Sequence, residues 1–410
     1  MQHSNSFETV HSLIKFKTMP LRTVSLLALI FFCFFTKTQA QSDSSAPIRI
    51  AVLAPLYLDS AFENSNYKLG NTNVPKLFMP GLDFYNGVMM AVDSLNKEGV
   101  EINVWVYDTK KKGVSADSLA AEMAGMHFSL VIAALSNTTE QKVFSNFSFS
   151  NNIPLVSATY PNDAYLTGNP FFLMVNSSLK THTEHIYKYV QRNYPVGKFI
   201  YITRKGGLED KILNMFSAAG KKTYPINYKT VQLADNFTAE QLLPLLDSNR
   251  QNIIICGSLD ETFGSNLIKT LDQSPPAYQM VAVGMPTWDG IRSVSKTANE
   301  KLDIVYSTPY NYQRSDKTIA ALANCYKTKF YGRPSDMVFK GYETMYHFTK
   351  LLLKYHNDLL NNLSDNSNRI SNNFQFEPVM LTDTSQVPDY IENRKIFFIR
   401  MSQGTVKSVN

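Results

Sequence analysis

The sequence predicts an α/β protein built on doubly wound parallel sheets. Three observations carry that expectation. Short apolar runs rich in β-branched residues recur along the chain, as strands buried on both faces require. Between them lie segments whose apolar residues step by three and four, the period of a one-sided helix. Strand and helix alternate over most of the length, a pattern that makes parallel sheets with helices packed on both sides.

Taken in order, residues 48–55 (IRIAVLAP) form the first buried strand. Residues 57–80 are polar and irregular, a long loop of the kind that often carries function, with Tyr57 at its start. A helix follows over 81–97, where Leu82, Tyr85, Val88, Met89, Val92 and Leu95 share one face and Gly99 ends it. The alternation then runs through a strand at 102–107, a helix at 115–126, a strand at 129–134, a helix at 139–148 and strands at 153–157 and 171–175. It continues with helices at 183–193, 208–219, 239–248 and 263–272, and strands at 199–203, 252–256, 279–283 and 304–308. Two strong helices are expected at 318–331 and 341–355. Residues 357–373 include seven Asn and read as a loop. Strands at 374–381 and 395–401 then follow without a helix between them, so the tail is expected to be antiparallel.

Composition narrows the function. The chain has 410 residues, 44% hydrophobic and 18% charged, enough apolar material for two or three cores. Residues 1–40 hold Lys15, Lys17, Arg22 and Lys37 against Glu8 alone, so the remaining 40 − 4 = 36 basic and 34 − 1 = 33 acidic residues nearly balance. No basic stripe marks a nucleic-acid binder. Residues 24–35 (VSLLALIFFCFF) are too short for a membrane span, which needs about twenty residues. With basic residues before and Thr38-Gln39-Ala40 after, they read as a cleavable signal peptide over residues 1–40, starting at Met1 or Met19, and place the mature chain in the periplasm. Cys33 lacks the small preceding residue of a lipoprotein signal. Cys256 and Cys325 could pair or stay free; no disulfide framework is present.

Catalytic signatures are missing. No G-x-S-x-G elbow, H-E-x-x-H pair or C-x-x-C pair occurs, so no enzymatic activity, metal or cofactor is expected. His182, Glu184 and His185 lie too close together, with no third metal ligand in view, and read as a helix face. Arg204-Lys205-Gly206-Gly207 follows a strand and opens a helix. It reads as a cleft loop, since the full phosphate-loop pattern is missing.

The order of motifs resembles the type I periplasmic solute-binding proteins of the leucine/isoleucine/valine-binding family, over roughly residues 47–400. IRIAVLAP is similar to the family's first strand, and FYNGVMMAVDSLNKEGVEINVWVYDT to its first helix, second strand and acidic turn. SLVIAALSNTTEQ and NNIPLVSATYP resemble the third and fourth strands with their hydroxyl-rich ligand loops, and DIVYSTPYNY the second crossing between lobes. The resemblance implies two doubly wound lobes joined by three crossovers near 176–179, 308–311 and 372–376. Lobe 1 would span 47–177 plus 311–373, and lobe 2 would span 178–310 plus 374–410. It further implies a small-molecule ligand held between closing lobes and a possible ABC-type permease as partner. A sensing or envelope-associated module without a transporter is the alternative.

Carried over residue by residue, the resemblance places Ser136, Asn137, Ala158, Thr159 and Tyr160 at the ligand in lobe 1. Neutral donors of this kind can hold a small polar solute without a buried net charge. In lobe 2 the matching loops depart from the family's pattern: Ser258 and Leu259 stand where it often has an aromatic, and Thr287 and Trp288 where amino-acid binders carry an acid for the ammonium, with Trp288 open to reading as cleft aromatic or core filler. Tyr57 and Lys205 complete the candidates at the rim. No acid is expected at the lobe 2 contact points; Asp260, Glu261 and Asp289 lie one or more residues beyond them.

Overall fold

A computed structural model describes residues 47–70, 74–162, 165–291, 294, 297–313, 315–382 and 385–409. The expected signal peptide lies outside these residues. Along the chain come β1 (Ile48–Ala54), the one-turn helix α1 (Leu58–Ala61), a small hairpin of β2 (Phe62–Glu63) and β3 (Asn66–Tyr67), α2 (Met79–Lys97), β4 (Ile102–Asp108), α3 (Ala116–Met123), β5 (Leu130–Ala133), α4 (Thr138–Asn151), β6 (Leu155–Ser157) and β7 (Phe172–Met174). Next are α5 (Leu179–Asn193), β8 (Lys198–Thr203), α6 (Gly207–Lys221), β9 (Tyr228–Gln232), α7 (Ala239–Leu242), β10 (Asn252–Cys256), α8 (Glu261–Asp272), β11 (Met280–Gly284) and β12 (Leu302–Thr308). The chain ends with α9 (Lys317–Phe330), α10 (Asp336–Tyr355), β13 (Phe376–Val379), β14 (Tyr390–Asn393), β15 (Phe397–Ser402) and β16 (Thr405–Val409).

These strands build two seven-stranded sheets, ordered β13-β14-β7-β6-β5-β1-β4 and β16-β15-β12-β11-β10-β8-β9. The central pairings of both are parallel. Each sheet is covered on both faces, and side-chain alternation sorts its residues between them. In β1, Ile50, Val52 and Ala54 face α2 and α10, while Ala51 and Leu53 join the core under α3 and α4. In β10, Ile254 and Cys256 pack with α8, and Ile253 and Ile255 with α5 and α6. Doubly buried strands explain the continuous apolar runs. Cys256 is one of those core residues, and both it and exposed Cys325 are free thiols.

Close approach of α2 and α10 needs glycine. A Cβ on Gly87 would meet the Val338 carbonyl oxygen at 2.0 Å, and one on Gly341 would meet the Phe84 carbonyl oxygen at 2.2 Å. Two helices that share such a contact pack backbone to backbone.

The chain passes between the sheets three times: after β7, after β12, and between β14 and β15. The third passage corrects the expected boundary at residue 374. β14 pairs in parallel with β7, and β13 pairs with β14, so residues 376–393 extend the first sheet. The crossing therefore falls near residues 394–396. The tail is antiparallel at β13–β14, β12–β15 and β15–β16. β9, β14 and β16 were not expected from the sequence, and the helix expected over 239–248 stops at Leu242, where Pro244 turns the chain into a short 3-10 segment. Among the described residues no helix is long and apolar enough to cross a membrane.

Candidate functional site

Carboxylates organise the strand ends of the first sheet. Asp108, closing β4, accepts the amides of Leu56 (2.9 Å), Tyr57 (3.1 Å) and Leu58 (2.8 Å) with one side chain. That bond set holds Tyr57 at φ 56°, its ring edge-on to Phe78 at 5.8 Å. At the start of α4, the Asn137 Oδ1 accepts the Glu140 amide at 2.9 Å, a helix N-cap. Glu140, 5% exposed, folds back so that its Oε2 accepts the Ser136 amide at 2.9 Å and the Ser136 hydroxyl at 3.0 Å. Its other oxygen pairs with Lys110. Thr159 donates its hydroxyl to the Leu135 carbonyl at 2.7 Å, Tyr160 shares a 3.0 Å bond with Thr138, and the carbonyl of buried Ala158 accepts the Tyr310 hydroxyl.

The second sheet's strand ends are equally committed. Ser258 is fully buried, donates to Glu209 at 2.8 Å and accepts the Asp260 amide at 3.1 Å. Arg204 pairs with Asp260 at 2.7 Å and Asp235 at 3.1 Å. This ion-paired cluster opens α6, so the Arg204–Gly207 loop carries no open anion seat at its arginine. Lys205 beside it is exposed.

The first and third passages between the sheets are tied to each other, and the second is anchored to lobe 1. Glu392 accepts the Ser178 amide at 2.7 Å and the Thr181 hydroxyl at 2.6 Å, and Ser177 donates to the Asn393 carbonyl at 2.6 Å. These bonds join the first passage to the third. Near the second, the Asn311 amide donates to Asn372 at 2.7 Å, and Asn372 donates to buried Glu343 at 2.6 Å. Burial raises the Glu343 carboxyl above its ordinary range.

A cavity of about 290 Å³ opens where the lobes and passages meet. Leu259 and Thr287 of the expected residues line it. The lining that sequence reasoning missed includes Asn176, His182, Asp289, Tyr310, Asp336 and Lys340. The Thr287 Oγ1 is buried and has no hydrogen-bond partner among the described residues. Lys340 lies with its ammonium 4.2 Å from the Tyr310 ring centroid, a cation–π contact. Burial lowers its pKa, and the nearby Asp336 and Asp289 act the other way. His182 shares a 2.9 Å hydrogen bond with Ser307, and burial pushes its pKa down to about 3, so it is neutral at ordinary pH. Its neighbours in sequence diverge: His185 Nδ1 faces the Thr181 carbonyl and Glu184 pairs with Arg394.

Several expected site residues are placed elsewhere. Trp288 is fully buried in the lobe 2 core, so close to Gly284 that a Cβ there would meet the indole at 1.9 Å. It is core filler. Ser258 is turned inward to Glu209. Ser136, Asn137, Ala158, Thr159, Tyr160, Tyr57 and Lys205 do not line this cavity. Asp289, expected to lie beyond the lobe 2 contact points, lines this cavity. Its Oδ1 accepts the Tyr306 hydroxyl at 2.9 Å.

No protein-family model matches the chain, and no curated protein matches it. Solved structures do. A putative branched-chain amino acid ABC transporter protein from Rhodospirillum rubrum aligns with TM-score 0.63 at 12% identity, covering 88% of this chain and 100% of its own. An ABC transporter substrate-binding protein from Desulfitobacterium hafniense, in complex with Leu, aligns at 0.58 and 14%, covering 88% and 100%. The substrate-binding protein LivJ from Streptococcus pneumoniae, in complex with isoleucine, aligns at 0.52 and 14%, covering 88% and 98%. At these identities the likeness speaks for architecture, and with the two parallel sheets and three passages it leads to one conclusion: the chain has the fold of the type I periplasmic binding proteins.

Proposed function

We propose that the chain is an exported solute-binding protein that captures one small polar ligand between its lobes and hands it to an ABC-type permease. The cavity at the lobe junction carries this reading. It draws polar groups from both lobes, Lys340 and Asp336 from α10 and Thr287 and Asp289 from the loop after β11. A solute seated there touches both halves, so binding favours the closed arrangement, as hinge-closing proteins require. Its size, near the lower end of ordinary ligand cavities, suits a ligand of few heavy atoms.

A thermal-shift screen of residues 41–410 against amino acids, amides, carboxylates and sugars tests the reading. A cognate ligand at a hundred times its Kd adds about 2.7 kcal/mol of stability. A panel without a shift, or a shift that survives filling the cavity with Thr287→Phe, would remove the cavity from consideration.

A further inference from the structure

We propose that Lys340 holds the acid group of the ligand and that the ligand is a small organic monocarboxylate. The inference rests on reading the cavity as a solute site. A carboxylate at strand ends ordinarily sits on free amides and hydroxyls at a helix start. In this chain two of those seats, after β1 and before α4, are filled from within. Glu140 occupies the Ser136 amide and hydroxyl, and Lys110 neutralises it. Asp108 occupies the amides of residues 56–58. Arg204 is bound to Asp260 and Asp235. A ligand anion that displaced Glu140 would strand a buried carboxylate beside its own charge, which costs several kcal/mol.

Lys340 is placed differently. It makes no ion pair with any described residue, and its ammonium lies over the Tyr310 ring. It lines the cavity from lobe 1, while Thr287 lines it from lobe 2. A carboxylate held at Lys340 would lie in a cavity walled by both lobes and so bridge them. The bond at Lys340 would be charge-assisted, stronger than a neutral one. The remaining lining limits the ligand's charge. His182 is neutral. Asp289 and Asp336 are exposed, where water and salt screen them, yet both disfavour a second negative charge. A monoanion is therefore favoured over a dianion.

Calorimetric titration of the exported chain with 4-methylpentanoate and its neutral amide, and with butanoate and its amide, tests the assignment. The acid of each pair should bind at least tenfold tighter. Lys340→Met keeps the stem and removes the charge; it should weaken acid binding at least tenfold, leave amide binding within twofold, and erase the preference. Lys340→Arg, the folding-safe partner, should retain the preference. Glu140→Gln should change acid affinity less than twofold. Equal binding of acid and amide, a preference that survives Lys340→Met, or a tenfold response to Glu140→Gln would overturn the proposal. Binding of neutral solutes alone would overturn it and leave solute capture standing; no binding anywhere in the wider screen would remove both.

Discussion

Asn137 and Thr159 show how a residue can be well chosen by type and still be engaged elsewhere. Both carry the groups a polar ligand needs, and both use them within lobe 1: Asn137 caps α4 through the Glu140 amide, and Thr159 bonds the Leu135 carbonyl. Asn137→Ala should therefore lower fold stability by about 1 kcal/mol, the usual cost of a lost cap, with little change in ligand affinity; denaturant melts beside titrations check it. Residue type was legible in the sequence, but partner choice was not. Ser258 and Thr287 are both hydroxyls after lobe 2 strands. Glu209, forty-nine residues before Ser258 in the chain, decides that one turns inward. Lys340 gave no signal, because a lysine at helical spacing reads as a solvated face until Tyr310 is folded against it.

Elements were legible where burial on both faces wrote an apolar run, as in β1, β5, β10 and β11. β9 and β16 were not. They are edge strands, and their residues are mostly exposed or half-buried, so no hydrophobic pattern marks them. β14 failed for another reason: Tyr390-Ile391-Glu392-Asn393 is fully buried, but its polar half satisfies the passages and breaks the apolar run. Helix packing depends on detail of the same kind. Gly341 lies against the Phe84 backbone, with no side chain there to move aside. Gly341→Ala should cost about 1–3 kcal/mol or more through overpacking, read as a lowered denaturation midpoint with an unchanged slope. Glu392→Gln should lower stability by about 1–3 kcal/mol, since the buried acceptor of Ser178 and Thr181 loses its charge.

At the scale of the molecule, two buried imidazoles tie stability to pH. His182 sits where α5 leaves the first passage, and burial depresses its pKa to about 3 from an ordinary value of 6.5. His347, on α10 between Phe348 and Phe374, is depressed by burial to about 4, with the Asn368 backbone and Asp365 opposing. In the unfolded chain both regain ordinary values. The stability that comes from keeping them neutral is thus fully present above pH 6.5 and falls as pH drops toward the folded values. In the window between, the unfolded state binds the extra proton, so each histidine contributes a slope of about 1.4 kcal/mol per pH unit. Asp365, held below its ordinary range by Lys354, adds loss of the same sign only at lower pH. The expected outcome is a protein markedly less stable at pH 4.5 than at pH 7.5. His347→Phe removes one titrating ring from an aromatic cluster that can accept the replacement. Denaturant melts across pH 4.5–7.5 should show the variant with a shallower decline than the parent, and an identical decline would place the acid sensitivity in groups other than His347.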